Sequence, residues 1–185
     1  MINKSDSTAV ILCGGLSTRM MTPKYKLFLD SILLQIKGFK TLALSVRDDA
    51  QITGYNLPLW PDCVKNCGPL GGIFTALTMS DSKFVFITPC DVPDITQNFI
   101  DELYNNLKED DICLIPVING SVQPLTGIYN KSCAGRIEAA LNGGIFSVKK
   151  FLQTISVHYV ELNEDQQKIL VNINTPEDYR NWLNS

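Results

Sequence analysis

The sequence predicts a three-layer α/β/α fold built on a mostly parallel β-sheet. Two observations carry this prediction. Short apolar runs alternate with stretches of helical periodicity along the 185 residues, the pattern of repeated βαβ units. Several of those runs are continuous and rich in β-branched residues, as strands covered on both faces require. The length suits one domain with a full hydrophobic core, so residues 1–185 are read as a single domain.

Taken in order, AVILC (9–13) is the first strand, and it stops at Gly14 and Gly15. DSILLQIKGF (30–39) leaves room for a first helix of about two turns. TLALSV (41–46) is the second strand, and a short strand precedes Asp62. GPLGGIFTALTMS (68–80) opens on glycines and sets Ile73 and Leu77 on one helical face. KFVFIT (83–88) is a strongly apolar strand, and TQNFIDELYNNL (96–107) repeats Phe99, Leu103 and Leu107 at helical spacing. DICLIPVI (111–118) and QPLTGIYN (123–130) read as strands, SCAGRIEAALN (132–142) and SVKKFLQTI (147–155) as helices. SVHYVEL (156–162), which makes His158 a strand residue, and ILVNI (169–173) complete the strands. The last helix starts at TPEDY, with Thr175 as N-cap, Pro176 at the first helical position and Asp178 closing a capping box. No repeat or linker interrupts the chain.

Apolar residues make up 45% and charged residues 19%, an ordinary globular balance. The net charge of -3 gives no electrostatic reason to expect nucleic acid, so any bound anion must be held by local groups. No apolar run approaches the roughly 18 residues of a membrane span, and the stretch before Gly14 is too short for a secretory signal. The six cysteines sit mostly in apolar or strand-like contexts, which fits reduced thiols in a cytoplasmic protein. Cys63 and Cys67 are too few for a zinc site, because the only histidine is the distant His158.

In an open α/β sheet, ligands bind at the carboxyl ends of the strands, and three loops at such ends carry chemistry. ILCGGLSTRMMTPK (11–24) empties a strand into glycines that let backbone amides approach an anion, followed by Arg19 and Lys24 as cations for phosphate oxygens. It is neither a P-loop nor a dinucleotide fingerprint, since G-x-x-x-x-G-K-S/T and G-x-G-x-x-G are both absent there. LWPDCVKNCGPLGGIFTAL (59–77) places Asp62 after a short strand, where a carboxylate can accept hydrogen bonds from a base or sugar. KFVFITPCDVPDI delivers Asp91 past a strand end between Pro89 and Pro93. A lone carboxylate so placed suits a Mg2+ ion that keeps most of its water and bridges substrate phosphates. The plain alternative for each loop is an ordinary surface turn.

ILCGGLSTRMMTPK resembles the L-A/C-G-G-x-S-x-R-M-G-x-x-K signature of nucleotidyltransferases. CGPLGGIFTAL, TPCDVP, QPLTGIYN and VNINTPEDY are similar, in that order, to the later motifs of the molybdenum cofactor guanylyltransferases. The resemblance runs from Ala9 to about Trp182. It implies a Rossmann-like fold of the nucleotide-diphospho-sugar transferase type, cytoplasmic, in which GMP passes from GTP to molybdopterin with Mg2+ and pyrophosphate is released. Position by position, it implies nucleotide contacts at Leu12, Cys13, Gly14, Gly15, Lys24, Asp62 and Asp91, with Asp91 also the metal ligand. Arg19, Lys24 and Asp91 become the catalytic set, and Asn172 and Asn174 of the N-x-N-T-P motif fall on the molybdopterin side. An N-terminal nucleotide-binding part (about 8–110) and a C-terminal acceptor-binding part (about 111–185) follow. The implied partners are GTP and molybdopterin as substrates and transient cofactor-handling proteins, for a monomer that uses neither nucleic acid nor membrane.

This chain departs from the pattern in four places. Met21 stands where the family has glycine, and Pro23 rather than an acid precedes Lys24, which leaves Lys26 as a competitor for the phosphate role. The segment from Lys24 to the second strand is shorter than the family's. Arg47 occupies the approximate place of a nucleoside-contacting asparagine. Cytidylyl transfer, sugar-phosphate nucleotidyl transfer and a non-catalytic GTP-binding module remain as alternatives.

Overall fold

The structure is a computed structural model that describes residues 2–14, 20, 22–47 and 52–184, without the side chains of 164 and 165. Its strands are β1 (Thr8–Leu12), β2 (Thr41–Val46), β3 (Leu59–Pro61), β4 (Phe84–Pro89), β5 (Cys113–Ile118), β6 (Ser121–Val122), β7 (Gly127–Asn130) and β8 (His158–Glu161). Its helices are α1 (Lys24–Gln35), α2 (Gly68–Met79), α3 (Gln97–Asn106), α4 (Ala134–Asn142), α5 (Val148–Leu152), α6 (Glu164–Gln167) and α7 (Pro176–Leu183).

The continuous apolar strands do lie between two layers. Ala9 and Ile11 of β1 and Phe84 and Phe86 of β4 join one core, with Phe28, Leu29 and Ile32 of α1 and Phe99, Ile100 and Leu103 of α3. Val10, Val85 and Ile87 join the other, with Leu70, Ile73 and Leu77 of α2, Ile137 of α4 and Phe151 of α5. Adjacent residues pack on opposite faces, so neither face can be polar. α7 closes the first layer: Trp182 and Tyr179 meet the Phe28 ring edge-on at 5.4 and 5.7 Å.

The sheet order is β3-β2-β1-β4-β7-β5-β6, with β8 along β5. β1, β2, β3 and β4 are parallel, β7 runs antiparallel to β4 and β5, and β8 is parallel to β5. Among the described strands, only β7 and the hairpin strand β6 therefore run against the rest. β1 has β2 on one side and β4 on the other, so the strand order reverses there, and a crevice opens above such a switch point.

Three expectations are corrected. The first helix is not the two turns of 30–39; it begins at Lys24 and ends at Gln35. ILVNI is not a strand: Lys168–Leu170 is a 3-10 turn, and Leu170 and Ile173 are buried in the core without any ladder. Burial alone produced its apolar pattern, because the outer edge of β5 is already taken by β8. QPLTGIYN is half turn, and its strand begins only at Gly127. The capping box at α7 forms as read, with Thr175 accepting from the Asp178 amide and Asp178 accepting from the Thr175 amide.

Candidate active site

The residue just past the end of each of β1, β3 and β4 donates one further hydrogen bond to the neighbouring strand. The Cys13 amide donates to the Ser45 carbonyl at 2.7 Å, Asp62 to Val46 at 2.9 Å and Cys90 to Leu12 at 3.1 Å. Cys13, Asp62 and Cys90 are thereby held on one rim, and Asp91 follows Cys90 directly. Together they border a cleft of about 980 Å³, large enough for a nucleotide.

One wall is the ends of β1 and β2. Leu12, Cys13, Gly14, Ser45 and Arg47 line it. A Cβ on Gly14 would lie 3.2 Å from Arg47 Cγ, closer than side chains normally pack, so the backbone here is bare because its neighbour is close. The entry of α2 forms the floor, with Gly68, Pro69 and Gly72 facing the cleft and no acid in the first turn. Its amide groups and dipole favour an anion. A Cβ on Gly72 would come 3.3 Å from Leu12 Cδ2 and 3.4 Å from Ser45 Oγ, so glycine brings this helix onto the strand ends.

The opposite wall holds charge. Lys24, the first residue of α1, donates from Nζ to Asp91 Oδ2 at 2.7 Å and to Asn174 Oδ1 at 2.6 Å. Both partners of the ion pair are mostly enclosed, at 14% and 19% side-chain exposure. The Ile173 amide donates to the Asp91 carbonyl at 2.9 Å, which ties the N-x-N-T-P segment to the carboxylate's own backbone. Asn172 lines the cleft beside it. Contact with the Cys90 thiol and burial push the Cys13 thiol far above its usual range, so it is a neutral wall group and not a nucleophile.

One cavity brings together most of the described residues that the sequence singles out. Leu12, Cys13, Gly14, Lys24, Asp62, Asp91 and Asn172 converge on it; Asn174 reaches it through Lys24. Lys24 and not Lys26 is on its lining. Gly15, Arg19 and Met21 lie outside the described residues. Lys65, Tyr25 and Leu125 also line it and were not singled out. Lys65 had one available signal, its place between Asp62 and the glycines of α2, whereas Leu125 arrives from a turn remote in sequence. A smaller depression of about 320 Å³ beside Asn119, Lys149 and Tyr159 contains none of these groups.

A family model described as the MobA-like NTP transferase domain matches residues 9–162. The chain belongs to this family. A protein of Halalkalibacterium halodurans named "Probable molybdenum cofactor guanylyltransferase" is 32% identical over 98% of this chain and 100% of its own length. Among solved structures, molybdopterin-guanine dinucleotide biosynthesis protein A of Archaeoglobus fulgidus superposes with a TM-score of 0.82 at 23% identity, over 94% of this chain and 95% of that one. The 2-C-methyl-D-erythritol 4-phosphate cytidylyltransferase of Thermus thermophilus gives 0.68 at 12% identity, over 92% and 94%. This MobA-like protein is therefore a nucleotidyltransferase in family, and the two structures share its fold. The cleft just described lies at the strand ends of that fold.

Proposed function

We propose that this MobA-like transferase moves GMP from GTP to the phosphate of molybdopterin, with release of pyrophosphate. The observation that carries the reading is the convergence of the bare strand end at Gly14 and the Asp91 carboxylate on one cleft. The full-length likeness to a protein named as a guanylyltransferase supports the choice of substrates.

The residues divide the work as follows. Gly14, the α2 entry and Asp62 take the nucleoside end, while Lys24 and the neighbouring Arg19 of the sequence take the triphosphate. Residues 8–110 supply nearly the whole nucleotide side; Leu125 and Asn172 bring the later half of the chain to the acceptor side. Among the described residues no group of three His, Cys, Asp or Glu could hold a metal ion. Asp91 would hold Mg2+ together with substrate phosphates, which suits an ion that keeps several waters. Bound there, the ion would neutralise triphosphate oxygens. An oxygen of the acceptor phosphate forms the new bond to the α-phosphorus, the α–β bridging bond breaks, and pyrophosphate departs. The protein's part is alignment and charge stabilisation, with no covalent intermediate. A cytoplasmic, monomeric protein is part of the proposal, and all six cysteines are free thiols.

Calorimetry with GTP, CTP and ATP in Mg2+, followed by pyrophosphate release on addition of molybdopterin, tests it. GTP should bind and turn over, and Asp91→Asn should lose at least about a hundredfold in turnover with unchanged folding. A preference for CTP would move the assignment to cytidylyl transfer, a reaction named for a protein of the same fold. Binding of GTP without pyrophosphate would make the chain a binding module.

A further inference from the structure

We infer that Asn174 is a positioning residue for Lys24, acting on the nucleotide side of the reaction. The inference rests on the nucleotidyl-transfer reading above and gives it a part that the N-x-N-T-P resemblance does not.

Lys24 has a flexible four-carbon stem and three donors on its ammonium group. Two of those donors end on oxygens from distant parts of the chain, Asp91 Oδ2 at 2.7 Å and Asn174 Oδ1 at 2.6 Å. These two contacts, one to a charged group and one to a neutral one, help hold the ammonium at the cleft, and the Asp178 carboxylate also acts on it through its charge.

Asn174 is itself firmly mounted. Its amide donates to Asp178 Oδ2 at 3.0 Å, and the preceding residue donates its amide to Asp91 and buries its side chain at 2% exposure. Thr175 and Asp178 complete the capping box by themselves. The start of α7 thus has no need of the Asn174 side chain, whose oxygen goes to Lys24 instead.

The neutrality of that oxygen matters. A cation arriving with a triphosphate needs Asp91, so Lys24 must give up some of its contact with that carboxylate. Asn174 then keeps the ammonium at the cleft by a hydrogen bond, without the negative charge that would compete with phosphate for it. A carboxylate in the same place would both retain Lys24 and repel the ligand.

A double-mutant cycle on GTP binding in Mg2+, read by calorimetry, tests this with the whole protein. Asn174→Ala should weaken GTP about tenfold, the usual size of a lost hydrogen bond to a charged group. Asn174→Leu, which keeps the shape and loses the acceptor, should do the same. In a Lys24→Ala background the substitution at Asn174 should change affinity by less than about twofold, because the two residues act as a unit. Guanosine, which lacks the triphosphate, should bind Asn174→Ala as it binds the wild type. In steady state the loss should fall on KM for GTP. Asn174 is exposed, so unfolding temperatures should agree among the variants. Additive losses in the cycle, or intact GTP binding with a loss confined to KM for molybdopterin, would overturn the inference while leaving the proposed reaction standing. Failure of the wild-type protein to bind GTP would instead remove the reaction.

Discussion

Gly127 stands where β7 crosses closest to β5. A Cβ there would lie 2.7 Å from the Leu114 carbonyl oxygen and 2.8 Å from Ile115 Cδ1, and the first of these is backbone and cannot step aside. Gly127→Ala should therefore cost about 1–3 kcal/mol in a urea titration, as overpacking usually does. Its sequence context, PLTGIYN, shows a glycine in a strand but not the neighbour that demands it. The same limit applies at the cleft. Lys24 and Asp91 could each be picked out by residue type and place, yet their 2.7 Å pairing joins residues 67 positions apart and was invisible until both were placed.

Among the elements, α7 was the most legible. Thr175, Pro176 and Asp178 carry a local code for a helix start, and the reciprocal hydrogen bonds form as the code implies. Thr175→Ala should lower stability by about 1 kcal/mol. The Asn174 amide, then the Thr175 hydroxyl and amide, hold the Asp178 carboxyl below its ordinary range. A carboxyl depressed on folding contributes stability that is complete above its unfolded pKa, near 4, and is lost as pH falls through the lower folded value. Stability measured from pH 6 down to pH 2 should therefore decline less steeply in Asp178→Asn than in the wild type; equal slopes would show that this carboxylate does not matter to the acid limb. α1 was the least legible element. Its start at Lys24 follows Pro23 with no side-chain cap, and its buried stripe of Phe28, Leu29 and Ile32 begins before the obvious apolar run.

For the whole molecule, the cleft is a product of strand order. β1 and β4 are separated in sequence by two strands and two helices, yet they are neighbours, with Leu12 beside Pro89. That adjacency is what sets Gly14 and Asp91 around one space. A ligand confined to the folded cleft must stabilise the fold, so GTP with Mg2+ at a hundredfold over its Kd should add about 2.7 kcal/mol to the unfolding free energy. Lys24→Ala should need more GTP for the same gain.

The sequence by itself determined the layer architecture and most of the strands, and it supplied the candidate residues of the proposed site, because those follow from local apolar pattern, turn chemistry and motif. Only the tertiary structure decided that ILVNI serves the core without joining the sheet, that Lys24 rather than Lys26 lines the cleft, and that Asn174 holds Lys24. Each of those depends on which remote segment arrives alongside, and a one-dimensional pattern records burial and propensity but not the identity of the neighbour.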